Sequence, residues 1–128
     1  MREIKKLIVH CSGTPDNREV TVDEIRQWHL KRGWSDIGYH YLVCRDGTIR
    51  PGRRATRIGA HCKGQNKDSI GVCLIGRDTF TNKQLDSLQK LYDILKNIFE
   101  IQIYGHKDFT NKKTCPNFNV KEMINDII

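Results

Sequence analysis

The chain has 128 residues, of which 29% are charged and 38% hydrophobic, which predicts one folded domain and excludes a disordered tail or a coiled coil. Its 22 Lys and Arg exceed its 15 Asp and Glu, and the resulting net charge of +7 favours an anionic partner or surface. The longest apolar runs, such as Ile70–Ile75, are far shorter than the roughly 20 residues that span a bilayer, so we expect no membrane insertion.

The N-terminus and the cysteines indicate where the chain is made. The opening MREIKKLIVHC has no long apolar segment and no small-residue cleavage site, so we predict synthesis in the cytoplasm without a signal peptide. The 5 cysteines are an odd set without a CxxC pair, which is typical of free thiols, one of them available as a ligand, rather than of a disulfide framework.

The first half of the chain predicts three strands and one helix. The β-branched run Lys5–Cys11 indicates a strand. A capping box at Thr21 opens a helix that Gly33 ends. A second strand over Tyr39–Cys44 is followed by an Asp-Gly turn and a return strand at Thr48–Arg50, which is the pattern of a hairpin.

The second half predicts the centre of a sheet and its main helix. Gly52–Asp68 has no periodicity and is predicted to be a long surface loop, a kind of segment that is usually functional. The apolar run Ile70–Ile75 indicates a central strand covered on both faces. Thr81 caps a helix with an apolar stripe, and Ile101–Tyr104 and Val120–Ile128 predict a last strand and a terminal helix. The order indicates an α/β protein, a single domain with a central mixed β-sheet flanked by helices.

Two histidines and one cysteine are candidate metal ligands. His10 and His106 each follow an apolar strand, and Cys115 lies in the loop beyond the second of these strands. Strand ends collect ligands in open α/β sheets, and two imidazoles with one thiolate suit Zn²⁺ with a fourth position open for water. The alternative is that His10 caps a strand, His106 is a surface residue and Cys115 packs as a small hydrophobe.

Tyr39 and Lys113 are candidate catalytic residues. A tyrosine hydroxyl beside a metal site can orient a water molecule or share its proton. Lys113 precedes Cys115 by two residues, so its ammonium group would lie where a developing oxyanion needs positive charge. The alternatives are that Tyr39 belongs to the aromatic core and that Lys113 is a solvated charge.

The long loop is rich in basic residues, including Arg53, Arg54 and Arg57. We consider three interpretations: a grip on ligand carboxylates or phosphates, a solvated face, and a nonspecific nucleic-acid footprint. Aromatic residues do not alternate with these charges, and no nucleic-acid motif is present, so no nucleic acid is expected as a partner.

Five strings occur in one order: IVHCS, IRQWHLKRGWSDIGYHYLVCRDGTI, GAHCKGQNKDSIGVCLIG, GHKD and KTCPNF. In this order the chain resembles the zinc N-acetylmuramoyl-L-alanine amidases, above all the bacteriophage lysozyme-type enzymes, which are relatives of the peptidoglycan recognition proteins. The resemblance runs from about Ile8 to Phe118, and it implies one zinc amidase domain over residues 1–128.

The resemblance implies a role for eight residues. His10, His106 and Cys115 match the zinc ligands, Tyr39 matches the tyrosine near the metal water, and Lys113 matches the catalytic lysine. The stretch that lines the peptidoglycan groove is matched by His61, Lys63 and Asn66. The family's reaction is hydrolysis of the lactyl-amide bond between N-acetylmuramic acid and L-alanine, with Zn²⁺ as cofactor.

Two expectations about the biology follow from this resemblance. The alternative function is a non-catalytic peptidoglycan-binding module of the same fold, but such modules commonly lack the ligand cysteine, and Cys115 is present. We expect a monomeric phage or prophage endolysin whose partner is peptidoglycan and which reaches the cell wall after release by a holin or another export route.

Overall fold

The computed structural model describes residues 2–124. Its strands are β1 (Lys6–Cys11), β2 (Tyr41–Val43), β3 (Ile49–Pro51), β4 (Ser69–Leu74) and β5 (Gln102–Gly105). They form one five-stranded sheet in the order β3-β2-β4-β1-β5. The pairs of β4 with β1, β4 with β2 and β1 with β5 are parallel, and the β2–β3 hairpin is antiparallel. The sheet is therefore mixed, as predicted.

The helices are α1 (Val22–Lys31), α2 (Asn82–Ile98) and α3 (Val120–Met123), with short 3-10 helices at Asn66–Asp68 and His106–Phe109. The predicted α/β class, with helices flanking a central sheet, is confirmed. The predicted terminal helix begins at Val120 as expected, but it ends at Met123 and Ile124 is extended, so the prediction is wrong at Ile124; residues 125–128 of that prediction lie outside the described residues. Within residues 2–124 no helix combines the length and apolar character that crossing a membrane requires.

The two long helices start at the predicted caps. At α2 the Thr81 hydroxyl accepts the Gln84 N–H at 3.1 Å, and the Gln84 side chain accepts the Thr81 N–H at 3.0 Å, so the capping box is complete. At α1 the Thr21 hydroxyl accepts the Glu24 N–H at 3.1 Å, so Thr21 caps the helix, but the described bonds at this end form only half of the predicted capping box. Each bond satisfies a backbone donor that the first turn of a helix leaves free.

Strand alternation sends side chains to two different layers. Ile70, Val72 and Leu74 of β4 pack in the cluster that lies under α2. Cys73 of the same strand packs in a second cluster, which includes Ile25 of α1. All six residues of β4 are buried, which confirms the prediction of a central strand covered on both faces.

The prediction that Gly52–Asp68 is a surface loop is wrong around His61, although Lys63, Gly64 and Lys67 are exposed as expected. His61 and Cys62 are buried, and the His61 ring lies directly on β4. A Cβ atom added to Gly71 would come within 2.5 Å of that ring, so the strand accepts the imidazole only because position 71 has no side chain. The loop folds back over the α1 side of the sheet and covers β4 with the His61 ring.

Candidate metal centre and active site

Three side chains that are distant in sequence meet at one edge of the sheet. His10 lies near the end of β1, rather than after it as predicted, and His106 is the first residue beyond β5. Because β1 and β5 are adjacent and parallel, both histidines reach the same edge. One ligand atom from each of His10, His106 and Cys115 lies within 4.8 Å of the others, and the two Nδ1 atoms are 3.1 Å apart.

Backbone hydrogen bonds hold Cys115 at this edge. The N–H of Cys11, the last residue of β1, donates to Cys115 Sγ at 2.8 Å, and the N–H of Lys107 donates to the Cys115 carbonyl at 2.9 Å. A hydrogen bond with the Cys11 thiol and burial raise the pKa of the Cys115 thiol. A cation at Sγ would act in the opposite direction, because it stabilises the thiolate.

The two histidines of the group are neutral. Burial lowers the pKa of His10 well below its ordinary value of 6.5, and the neighbouring His61 and His106 lower it further. Burial also lowers the pKa of His106, and the positive charge of Lys113 adds to this shift. A neutral imidazole keeps a lone pair for a cation, so these shifts leave both rings in the ligand form. The group of three is thus able to hold a metal ion.

Tyr39 and Lys113 both lie near this group. The Tyr39 ring is 5.3 Å from the His10 ring between centroids, and burial, followed by the Cys73 thiol, raises the pKa of the Tyr39 hydroxyl well above 10. Tyr39 therefore keeps its proton at neutral pH. Lys113 is exposed, and its effect on the pKa of His106 places its charge near that ring. Their catalytic roles stay predictions.

The residues predicted to line a groove occupy different environments. Lys63 is exposed. The Asn66 carboxamide oxygen accepts the N–H groups of His61 and Cys62 at 3.0 and 2.9 Å, so it fixes the turn that carries them. His61 is buried, with one ring nitrogen 2.8 Å from His10 Nε2 and the other 3.1 Å from Ser69 Oγ. Contact of these three residues with a glycan or peptide remains a prediction.

The basic loop divides into structural and exposed arginines. The Arg53 guanidinium donates to the carbonyl groups of Ile37, Ile58 and Asp36 at 2.9, 2.7 and 3.3 Å, so it ties the loop to the segment before β2. This structural use differs from the ligand grip considered above. Arg54 and Arg57 are exposed and remain available to an anionic ligand.

The sequence interpretation missed a row of adjacent, mutually tilted rings next to the metal group. His29 of α1 lies 4.5 Å from Trp34 and 5.5 Å from Tyr39 between ring centroids. The N–H of Gly38 donates to His29 Nδ1 at 2.9 Å, which fixes the ring. In sequence, His29 is only one member of the inner face of a helix, and a pattern of that kind does not show which ring it meets.

A model of the N-acetylmuramoyl-L-alanine amidase family matches residues 1–118. The chain belongs to this family. Among relatives, the endolysin of Enterobacteria phage K11 is 38% identical over 132 residues, covering 96% of this chain and 87% of that protein. The endolysin of Escherichia phage T7 is 41% identical over 123 residues, with 90% and 82% covered.

Solved structures place this amidase-family chain in the same fold. The amidase LysC from Clostridium intestinale URNW superposes with a TM-score of 0.87 at 31% identity, covering 95% of this chain and 83% of that one. The resemblance inferred from the five sequence strings is therefore confirmed, both for the family and for the fold.

Proposed function

We propose that this chain is a zinc-dependent N-acetylmuramoyl-L-alanine amidase that cleaves the amide bond between the lactyl group of N-acetylmuramic acid and L-alanine in peptidoglycan. The observation that carries the proposal is the convergence of His10, His106 and Cys115 at one sheet edge, in a chain that belongs to this amidase family. The endolysins among its relatives support a role in lysis of the cell wall by a phage or prophage.

The donor set fits Zn²⁺. Two imidazole nitrogens and one thiolate are zinc ligands, and zinc–nitrogen bonds of about 2.0–2.1 Å at tetrahedral angles place two nitrogens about 3.3 Å apart. His10 Nδ1 and His106 Nδ1 are 3.1 Å apart, which is close to that separation. Three protein ligands leave one tetrahedral position open, as catalytic sites do. When bound, zinc supplies a Lewis acid and lowers the pKa of water.

Two side chains near the ligands stabilise the developing charge and orient the attacking water molecule. The Lys113 ammonium stabilises the negative charge that develops on the scissile carbonyl oxygen. Tyr39 keeps its proton, because burial raises its pKa, so its hydroxyl serves as a donor that orients the attacking water molecule. The sequence has no HExxH motif, and thus no glutamate next to a ligand histidine in the manner of thermolysin-like enzymes.

Substrate binding rests on the loop that closes the α1 side. We propose that His61, Lys63 and Asn66 belong to the wall of the peptidoglycan groove, and that the exposed Arg54 and Arg57 meet carboxylates of the stem peptide. Residues 1–128 then act as one amidase domain. A monomeric state, and release to the wall by a holin or another export route, stay predictions.

The decisive experiment identifies the bond that is cut. Purified peptidoglycan is incubated with the protein, and new L-alanine amino termini and new reducing sugar ends are both quantified. We expect free alanine amino groups, about one zinc per chain by mass spectrometry, and neither result with Cys115→Ser. Reducing ends without free amines would identify a glycosidase and overturn the proposal. Wall binding without product would identify the non-catalytic module.

A further inference from the structure

We propose that His61 is a positioning residue for the metal centre: it holds the His10 ring so that the Nδ1 lone pair faces His106 and Cys115. The inference rests on the proposed zinc site, and it gives His61 a role behind the ligands in addition to the predicted one in the groove. Ligand histidines usually donate their second ring N–H to a fixed acceptor, which sets the tautomer and the ring orientation.

The three members of this arrangement form a buried chain of hydrogen bonds. His10 Nε2 lies 2.8 Å from His61 Nδ1, and His61 Nε2 lies 3.1 Å from Ser69 Oγ. All three residues are buried, and Ser69 is the first residue of β4. The other nitrogen of His10, Nδ1, is the one that faces His106 Nδ1. His10 Nε2 is thus hydrogen-bonded to His61, and His10 Nδ1 is available to the proposed ion.

The direction in which these hydrogen bonds donate decides whether His10 can bind a cation. A neutral imidazole has one donor and one acceptor nitrogen. If Ser69 Oγ accepts the Nε2–H of His61, then His61 Nδ1 accepts the Nε2–H of His10, and His10 Nδ1 carries a lone pair. If Ser69 donates instead, His10 Nδ1 carries a proton and cannot bind a metal. Metal binding therefore requires the first direction, in which His61 is the acceptor for His10.

The backbone around His61 leaves its ring little freedom to turn. A Cβ atom at Gly71 would come within 2.5 Å of the ring, and a Cβ atom at Gly59 within 2.8 Å. The Asn66 side chain also fixes the backbone N–H of His61 at 3.0 Å. The ring is held between two glycines and one turn, which is the kind of rigid support that a ligand partner needs.

A neighbouring histidine provides the matched control. His40 is buried like His61, and the two rings are 5.8 Å apart between centroids. Its Nδ1 accepts the Gly71 N–H at 3.0 Å and its Nε2 donates to the Arg57 carbonyl at 2.8 Å, so both nitrogens bond to backbone. Loss of His40 should lower stability without removing a partner of His10.

The test measures zinc affinity by competition with a chromogenic chelator for wild type, His61→Ala, His61→Asn and His40→Ala, with thermal melts of the metal-free proteins beside it. The asparagine places a carboxamide oxygen near the position of Nδ1 and so retains an acceptor for His10. We expect His61→Ala to weaken zinc binding by about 10–100-fold. His61→Asn should stay within about threefold of wild type, and His40→Ala should melt lower with unchanged zinc affinity.

A His61→Ala protein that folds and binds zinc as tightly as wild type would overturn the inference. A second measurement does not depend on any variant folding: long-range ¹H–¹⁵N spectra of the zinc-loaded wild type report the tautomer of His61. Protonation at Nε2 supports the inference, and protonation at Nδ1 overturns it. A wild-type chain that binds no zinc would instead overturn the proposed function, so the two failures are distinguishable.

Discussion

On the α2 side of the sheet the buried cluster consists of aliphatic side chains and Tyr92, whereas the α1 side buries four histidines among its apolar residues. The same strands build both sides: in β1, Leu7 and Val9 belong to the α2 cluster, and His10 faces the opposite way. Aliphatic burial contributes favourable free energy in proportion to area, whereas a buried imidazole needs a partner on each nitrogen to avoid a desolvation penalty.

This difference assigns the stability of the domain mainly to one side of the sheet and the proposed reaction to the other. The α2 side supplies most of the apolar burial, so changes there should act on unfolding. The α1 side and its sheet edge hold the proposed ligands, so changes to those ligands and to their hydrogen-bond partners should act on zinc affinity and on turnover, whereas His40 on the same side should act on stability. Each of the following variants is chosen to break or to sharpen that separation.

The largest effect is expected for His106→Ala. Loss of one ligand removes the Lewis acid, which is worth several kcal/mol, so hydrolysis of peptidoglycan should fall by roughly 10³-fold or more. Because His106 is only partly buried, the melting temperature of the metal-free protein should change little. Release of alanine amino groups measures the hydrolysis, and thermal melts measure the stability. An active variant with normal turnover would show that His106 is not a ligand.

Leu88→Ala tests the opposite side. Leu88 is fully buried on α2, and truncation of such a side chain costs about 2–5 kcal/mol of unfolding free energy. We expect that loss in urea titrations, with turnover unchanged at a temperature where the variant is folded. A fall in turnover per folded molecule would mean that the two sides of the sheet are coupled.

Lys113→Ala should lower turnover by about 10²-fold, or about 2.7 kcal/mol, because removal of one oxyanion-stabilising group has that order of effect. Zinc content should stay at the wild-type value, since Lys113 is not a ligand. Lys112→Ala is the matched control, being an adjacent exposed lysine. Equal and small effects of the two substitutions would identify Lys113 as a solvated charge.

The last prediction concerns pH, and its effect is small only over a single pH unit. Burial lowers the pKa of His40 from 6.5 to about 4, so below pH 6.5 the unfolded chain binds a proton that the folded chain does not. Stability should therefore fall as the pH drops from about 6.5 to about 4, by at most about 1.4 kcal/mol per pH unit for one histidine. In zinc-free buffer with a chelator, urea titrations of His40→Gln should show a shallower slope than wild type. An unchanged slope would contradict the buried, neutral state of His40.

Local patterns in the sequence predict the elements well. Thr21 and Thr81 cap their helices as expected, and the apolar run of β4 is central and buried. These features depend on neighbours within a few residues, so composition and spacing are sufficient to find them. The positions of His10 and His106 at strand ends also point to one sheet edge, although only the topology makes β1 and β5 neighbours.

The path of the long loop could not be predicted in this way. That His61 meets His10, 51 residues away, depends on the loop folding over β4, and no local pattern encodes that path. The glycine at position 71 is a signal only once the strand pairing is known, since its missing side chain matters for the ring that lies on it. Arg53 shows the same limit, because its three carbonyl acceptors are set by tertiary structure.

The bond from the Cys11 N–H to Cys115 Sγ has a consequence for the architecture as well as for the centre. Pairing of β5 with β1 ends at Val9 and Gly105, and beyond that point the sulfur atom serves as the acceptor for the last donor of β1. Cys115 Sγ thus accepts the hydrogen bond that follows the last β1–β5 pair, and it links the N-terminal strand to the C-terminal loop. Loss of the hydrogen bond to Cys115 Sγ should consequently make the segment around Cys115 more sensitive to protease, under conditions in which the rest of the domain stays folded.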